Sequence, residues 1–283
     1  MARPFTLGAV AYDAKVVTIW EGFKTFFFKH GFDFDFVLYS NYEAQVAAHF
    51  AGALDAAWNS PLAWLESVEI AGRKKLTAEA IAMRNSDCDL KSLIVARKDS
   101  HIGRIVDLQG KRIAVGAKDS PQATLIPLEL LAKDGLVAGK DFHVEYFDVL
   151  VGKHGDHIGG ERDAARALSQ GKVDAACMID GNYTLFGFEG TLNPAAMHIV
   201  VSTDHYDHCN FTVIRETRHP ETDTFVKLLM AMDYADHEVR PLLDMEGLKQ
   251  WVPGRTSHYA LLEAAVKRFG TIDEFVSKIA GQH

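Results

Sequence analysis

Cysteine is scarce in this chain: among 283 residues there are three, Cys88, Cys177 and Cys209, far apart in sequence. An odd, widely spaced set excludes a disulfide framework and fits a reducing compartment. Long apolar runs are missing too. No stretch approaches the about 18 apolar residues of a membrane-spanning helix. Basic charge is also short, with 30 Lys and Arg against 38 Asp and Glu and a formal net charge of −8. That balance argues against a general nucleic-acid role, because nothing is left over to neutralise phosphates. An anionic ligand would have to be held by local dipoles against an unfavourable global field. The opening MARPFTLGAVAYD has one Arg followed by a short apolar stretch, which reads as a strand and not as an export leader. The expectation is therefore a cytoplasmic protein, or a periplasmic one if this is a recloned mature form.

What is present is an alternation of strand and helix signals. PFTLGAVAY reads as a strand and Val16–His30 as a helix, with Trp20, Phe23, Phe26 and Phe27 at helical core spacing. FDFDFVLYS, with period-two alternation, NYEAQVAAHFAGA and LDAAWN continue a βαβαβ unit, which implies parallel strands with right-handed crossovers. SLIVARKDS (92–100) is another strand, and IVDLQGKRIAVGA opens a second set. In that set FHVEYFDVL and KVDAACMI are strands, and ERDAARALSQG is a helix. After the strand FTVIRE the chain turns helical, through HPETDTFVKLLMAMDYA, HYALLEAAVKRFG and IDEFVSKIA. A shared "hydrophobic-Asp-Ala-Ala" strand start at Gly52–Ala57 and Gly171–Ala176 suggests two similar lobes.

Three segments run from a strand straight into a capped helix start: LDAAWNSPLAWL (54–65), KRIAVGAKDSPQATLIPLELL (111–131) and VDAACMIDGNYTLF (173–186). Helix starts expose unpaired N–H groups and the positive end of the macrodipole, so they suit anions. Ser60–Pro61 and Ser120–Pro121 are good cap and first-turn pairs, and capping leaves other N–H groups for a ligand. Tyr12 and Trp58 fall at strand ends, as suits the lining of a cleft, and Tyr39, Tyr42 and Tyr183 are further candidates.

Together GALDAAWNSPLAW, SLIVARKDS, GKRIAVGAKDSPQATLIPLELL and LSQGKVDAACMID resemble the phosphate/phosphite/phosphonate-binding proteins of ABC importers, over roughly residues 5–215. The resemblance implies the type II periplasmic-binding fold: an α/β protein with two Rossmann-like lobes of mixed sheet joined by two crossing strands. Lobe one would be 1–94 plus 211–283 and lobe two 95–210, with the ligand in the cleft between them. It further implies ligand contacts at Tyr12, Trp58, Asn59, Ser60, Ser120, Thr124 and Asp180, and an importer permease as partner if the chain is exported. Two departures bear on the ligand. The Ser/Thr-rich helix start of the family is thinned to KDSPQAT, and Glu161 stands near the position of a family His. A carboxylate there would repel a phosphonate dianion, so a zwitterionic, cationic, neutral polar or metal-bound ligand becomes the expectation.

Two loops add polar chemistry: GKHGDHIGGERD (152–163) and TDHYDHCNF (203–211). Their histidines His154, His157, His205 and His208 are candidate ligands for a divalent transition metal, although the spacing matches no zinc signature. His157 with Glu161 would also serve as an acid–base pair. Two readings follow. One is a solute-binding protein that closes on a small polar or anionic molecule. The other is a cytosolic enzyme on the same fold, using the His/Glu loops for acid–base or metal-assisted chemistry.

Overall fold

The computed structural model describes residues 3–280, which divide into two compact units: 3–88 with Asp207–Tyr259, and Asp89–Tyr206 with 260–280. Unit one contains β1 (Phe5–Val10), α1 (Lys15–Lys29), β2 (Phe34–Tyr39), α2 (Tyr42–Phe50), β3 (Ala56–Asn59), α3 (Pro61–Lys74) and β4 (Ala78–Arg84). Its sheet order is β11-β4-β10-β3-β1-β2, completed by β10 (Asn210–Ile214) and β11 (Trp251–Pro253). Here β1 pairs in parallel with β2 and β3, while β10 and β11 pair antiparallel. The core forms because α1 repeats apolar residues every three or four positions: Val16, Ile19, Trp20, Phe23 and Phe27 all turn inward. They meet Phe5, Phe34, Phe211 and Phe225, with Phe5 and Phe225 stacked at 4.7 Å. Helices α7 (Thr222–Met230) and α8 (Arg240–Glu246) complete this layer.

Unit two has a five-stranded sheet in the order β7-β6-β8-β5-β9. Its strands are β5 (Ser92–Arg97), β6 (Arg112–Val115), β7 (His143–Tyr146), β8 (Ala175–Ile179) and β9 (Met197–Ser202). Its helices are α4 (Ile126–Lys133), α5 (Gly159–Ser169), α6 (Asp180–Phe188), α9 (Ala260–Lys267) and α10 (Ile272–Ala280). Strand β6 runs parallel to β7 and β8, whereas β5 is antiparallel to β8 and β9. Both sheets are thus mixed, with helices packed on them.

The unit boundaries differ from those expected. The chain crosses at 88/89 and 206/207, not at 94/95 and 210/211, and crosses once more at 259/260. Each expected crossing strand is a full member of one sheet: β5 lies between β8 and β9, and β10 between β3 and β4. The C-terminal helices join unit two because α9 buries Leu262, Ala265 and Val266 while packing on α4. Three strands had no sequence signal of their own, namely β4, β9 and β11. All three pair antiparallel with strands of their sheets, and β4 (AEAIAMR) is half-buried along most of its length without alternation.

Candidate functional site

In each unit the sheet presents the carboxyl ends of two neighbouring parallel strands, where α/β proteins usually bind ligands. In unit one these are β1 and β3. Tyr12 follows β1, is half-buried, and has the Lys15 ammonium 5.8 Å from its ring centroid. Trp58, Asn59 and Ser60 end β3. The Trp58 ring belongs to the core, 4.6 Å from Phe211 and 5.7 Å from Trp251, with the Arg84 guanidinium 5.2 Å away. Asn59 is fully buried. It accepts from Gln45 Nε2 (2.8 Å) and donates to Ser67 Oγ (3.2 Å) and Thr212 Oγ1 (2.9 Å). From there the chain of bonds runs on through Asn210 to the Tyr259 hydroxyl, which donates to the His208 carbonyl. Asn59 thereby ties β3 to β10 through side chains as well as backbone. Ser60 caps α3, accepting from Ala63 N at 3.2 Å.

Beneath Trp58 lies a buried charge cluster. Arg84 clasps Asp87 in two bonds (Nε–Oδ2 2.5 Å, Nη2–Oδ1 2.9 Å) and reaches Glu246 Oε1 at 3.2 Å. His208 Nδ1 lies 3.5 Å from Asp87 Oδ1 and 3.0 Å from Cys209 Sγ. Burial pushes the Asp87 carboxyl up, but Arg84 and His208 outweigh it and the net position is below the usual carboxylate range.

In unit two the adjacent strands are β6 and β8. After β6, Ser120 caps the helix start by accepting from Ala123 N (3.2 Å), and the first turn, Pro121–Leu125, is a wide π-turn leading into α4. Thr124 donates to the Ala117 carbonyl at 2.7 Å. The loop at 152–155 is fastened over this helix start. Asp119 Oδ2 accepts from Gly152 N (2.6 Å) and His154 N (3.0 Å), and Gln122 Nε2 donates to the Gly155 carbonyl (2.9 Å). Gly155 sits at φ +78°, and a Cβ there would meet Ser120 Cβ at 2.8 Å and Gln122 Nε2 at 2.9 Å. Gly155→Ala is therefore expected to cost about 2 kcal/mol in urea denaturation, from left-handed strain plus overpacking. A change within 0.5 kcal/mol, the usual scatter for a neutral surface site, would mean that the loop is not seated there.

After β8, the start of α6 holds two of the chain's own carboxylates. Glu161 is 3% exposed, and its Oε2 accepts from Ile179 N (3.0 Å) and Asn182 Nδ2 (2.9 Å). Asp180 is half-buried, and its Oδ1 accepts from Gly181 N at 2.8 Å. Burial, and then the charge of Glu161, pushes the neighbouring Cys177 thiol up. A third helix start, that of α5, abuts the loop after β6: a Cβ on Gly160 would lie 2.5 Å from the Phe147 carbonyl and 3.4 Å from Ala117 N. Glu161 on the first turn of α5 thus bridges to the α6 start. The spacing of HIGGERD could not announce that reach, because it depends on how β6 and β8 pair.

The candidate metal histidines of unit two, His154, His157 and His205, form no metal-type grouping among the described residues. His154 is buried with its backbone N–H on Asp119, and His157 Nδ1 accepts from Gly159 N (3.2 Å). His205 is exposed, and His208 belongs to unit one. Among the described residues, the metal-type grouping around His208 is Asp87 and Cys209, and no such grouping contains His154, His157 or His205. Within it Asp87 is already committed to the Arg84 guanidinium. The proposed acid–base pair, His157 and Glu161, is likewise engaged with backbone N–H groups on both sides.

A family model described as "ABC transporter, phosphonate, periplasmic substrate-binding protein" matches residues 11–259. Among solved structures, PhnD1 from Prochlorococcus marinus (MIT 9301) in complex with methylphosphonate is similar at a TM-score of 0.68 and 16% identity. That match covers 94% of this chain and 98% of the other. A binding-protein component of an ABC phosphonate transporter from Pseudomonas aeruginosa gives 0.62 and 16%, over 99% and 98% of the two chains. The periplasmic aliphatic sulphonate binding protein SsuA from Escherichia coli gives 0.56 and 14%, over 94% and 84%. At these identities the structures speak for the fold alone, and no described helix is long and apolar enough to cross a membrane. The match over most of its length, the two mixed-sheet units and the paired strand-end helix starts make this chain a member of the phosphonate-type periplasmic substrate-binding protein family of ABC transporters.

Proposed function

We propose that this chain is the solute-binding component of an ABC importer, working outside the cytoplasmic membrane with a permease as partner, and that its solute is a small molecule with an anionic group and a cationic one. The family match over residues 11–259 carries the first part. The relatives named above support an anionic end, since their ligands and names are phosphonates and sulphonates. Glu161 and Asp180 support the cationic end. Two carboxylates at the α6 start repel a dianion there, and an ammonium group can offset their charge. Neither the family nor the site supports the enzymatic alternative.

The test is calorimetric titration with methylphosphonate and methanesulfonate beside 2-aminoethylphosphonate and 2-aminoethanesulfonate. The aminoalkyl members are expected to bind at least about tenfold more tightly, as charge-assisted hydrogen bonds allow. Equal binding within a pair would remove the cationic end from the reading. No binding by any of the four would remove the solute class.

A further inference from the structure

We infer that unit two carries a second small-molecule site, for an aromatic carboxylate, between its C-terminal helices and the start of α4. A cavity of about 220 Å³ opens there, wholly within residues of unit two. Leu125 and Leu128 line it on the helix side, and Phe269 and Phe275 on the other, their ring centroids 5.2 Å apart. An apolar cavity of about 150 Å³ admits benzene. The extra volume here leaves room for one ring with a short polar arm.

Three observations point to a ligand of that kind. First, two large apolar side chains at the cavity are left open to solvent, Phe269 at 49% and Tyr146 at 42% exposure. Clustered exposure of this sort marks binding surfaces more often than isolated apolar residues do. Second, two ammonium groups line the same cavity in a protein whose net charge is −8. Lys118 is partly spoken for, by Asp148 at 3.1 Å and the Tyr146 ring at 5.7 Å. Lys278 is exposed and has no ion pair among the described residues. Third, Thr124 lines the cavity but gives its hydroxyl proton to Ala117, which leaves the lysines as the charged donors. An aryl ring would replace water against Leu128 and Phe275, and its carboxylate would accept from Lys278.

The site shares Thr124 with the helix start discussed above but does not depend on the importer ligand. It is tested by 19F NMR titration of the full chain with 4-fluorophenylacetate, using 4-fluorobenzyl alcohol as the uncharged control. Saturable one-to-one binding is expected in the millimolar range or tighter, weakened about fivefold in the alcohol and in Lys278→Met. Leu128→Trp, which fills the cavity, is expected to abolish binding while circular dichroism shows the fold retained. Absence of saturation overturns the proposal. So does binding that both variants leave unchanged, or self-association of the chain that these variants relieve without any probe binding.

Discussion

Arg84→Met is expected to destabilise the protein by about 3–5 kcal/mol at neutral pH, measured by urea denaturation. The guanidinium is the group that compensates Asp87 (2% exposed) and Glu246 (5% exposed), and it also lies against the Trp58 ring. Methionine keeps much of the volume but takes the guanidinium from two buried carboxylates, with His208 remaining beside Asp87. Arg84→Lys should recover only part of the loss, since an ammonium cannot make the planar two-bond contact to Asp87. The effect has a pH signature. In the parent protein Asp87 is held below its ordinary range, so its contribution is present above about pH 3.9 and is lost as the pH falls through the folded value. Without Arg84, burial is opposed at Asp87 by His208 alone, so the carboxyl is expected to move up and acid to relieve the variant. The gap between the two proteins should therefore narrow from pH 7 to pH 4. A deficit under 1 kcal/mol, or one that stays constant over that range, would show that the cluster is not held together by this cation.

The second large effect concerns His49 on α2, which is 4% exposed and whose Nδ1 has no partner among the described residues. Burial lowers its pKa to about 4, against an opposing pull from Asp55. The unfolded value is near 6.5, so between about pH 6.5 and 4 the unfolded chain binds a proton that the native state refuses. Stability is then complete above that window and falls as the pH drops through it, by about 3 kcal/mol in all. His49→Leu is expected to flatten this part of the profile, with the two stability curves diverging below about pH 6.5. Proton NMR of the parent gives the direct check. A His49 midpoint at its ordinary value would refute the reading and leave the acid sensitivity to carboxylates such as Asp87.

Much of the fold was legible because its signals are local. The periodicity of α1, the Ser60–Pro61 and Ser120–Pro121 caps and the strand runs of β1, β3, β5, β6 and β8 each involve residues a few positions apart. The antiparallel strands β4, β9 and β11 were illegible because their burial comes from partners far along the chain. The candidate site divides in the same way. That Ser60, Ser120 and Asp180 stand at helix starts follows from residue type and position. That Trp58 is a core ring, that Asn59 belongs to a buried hydrogen-bond chain, and that Asp119 and Gly155 fasten a loop over Ser120 follow only from packing.

The strand-to-helix junctions, the α/β class and the family were therefore determined by the sequence alone, since caps, periodicity and motif order are short-range properties. The tertiary structure decided what those junctions hold. Pairing β6 beside β8 brings Glu161 from α5 onto Ile179 and Asn182, so one expected anion site already carries a carboxylate of the chain itself. A contact across 18 residues and two secondary-structure elements depends on register and helix packing, and neither is written in the spacing of the residues involved.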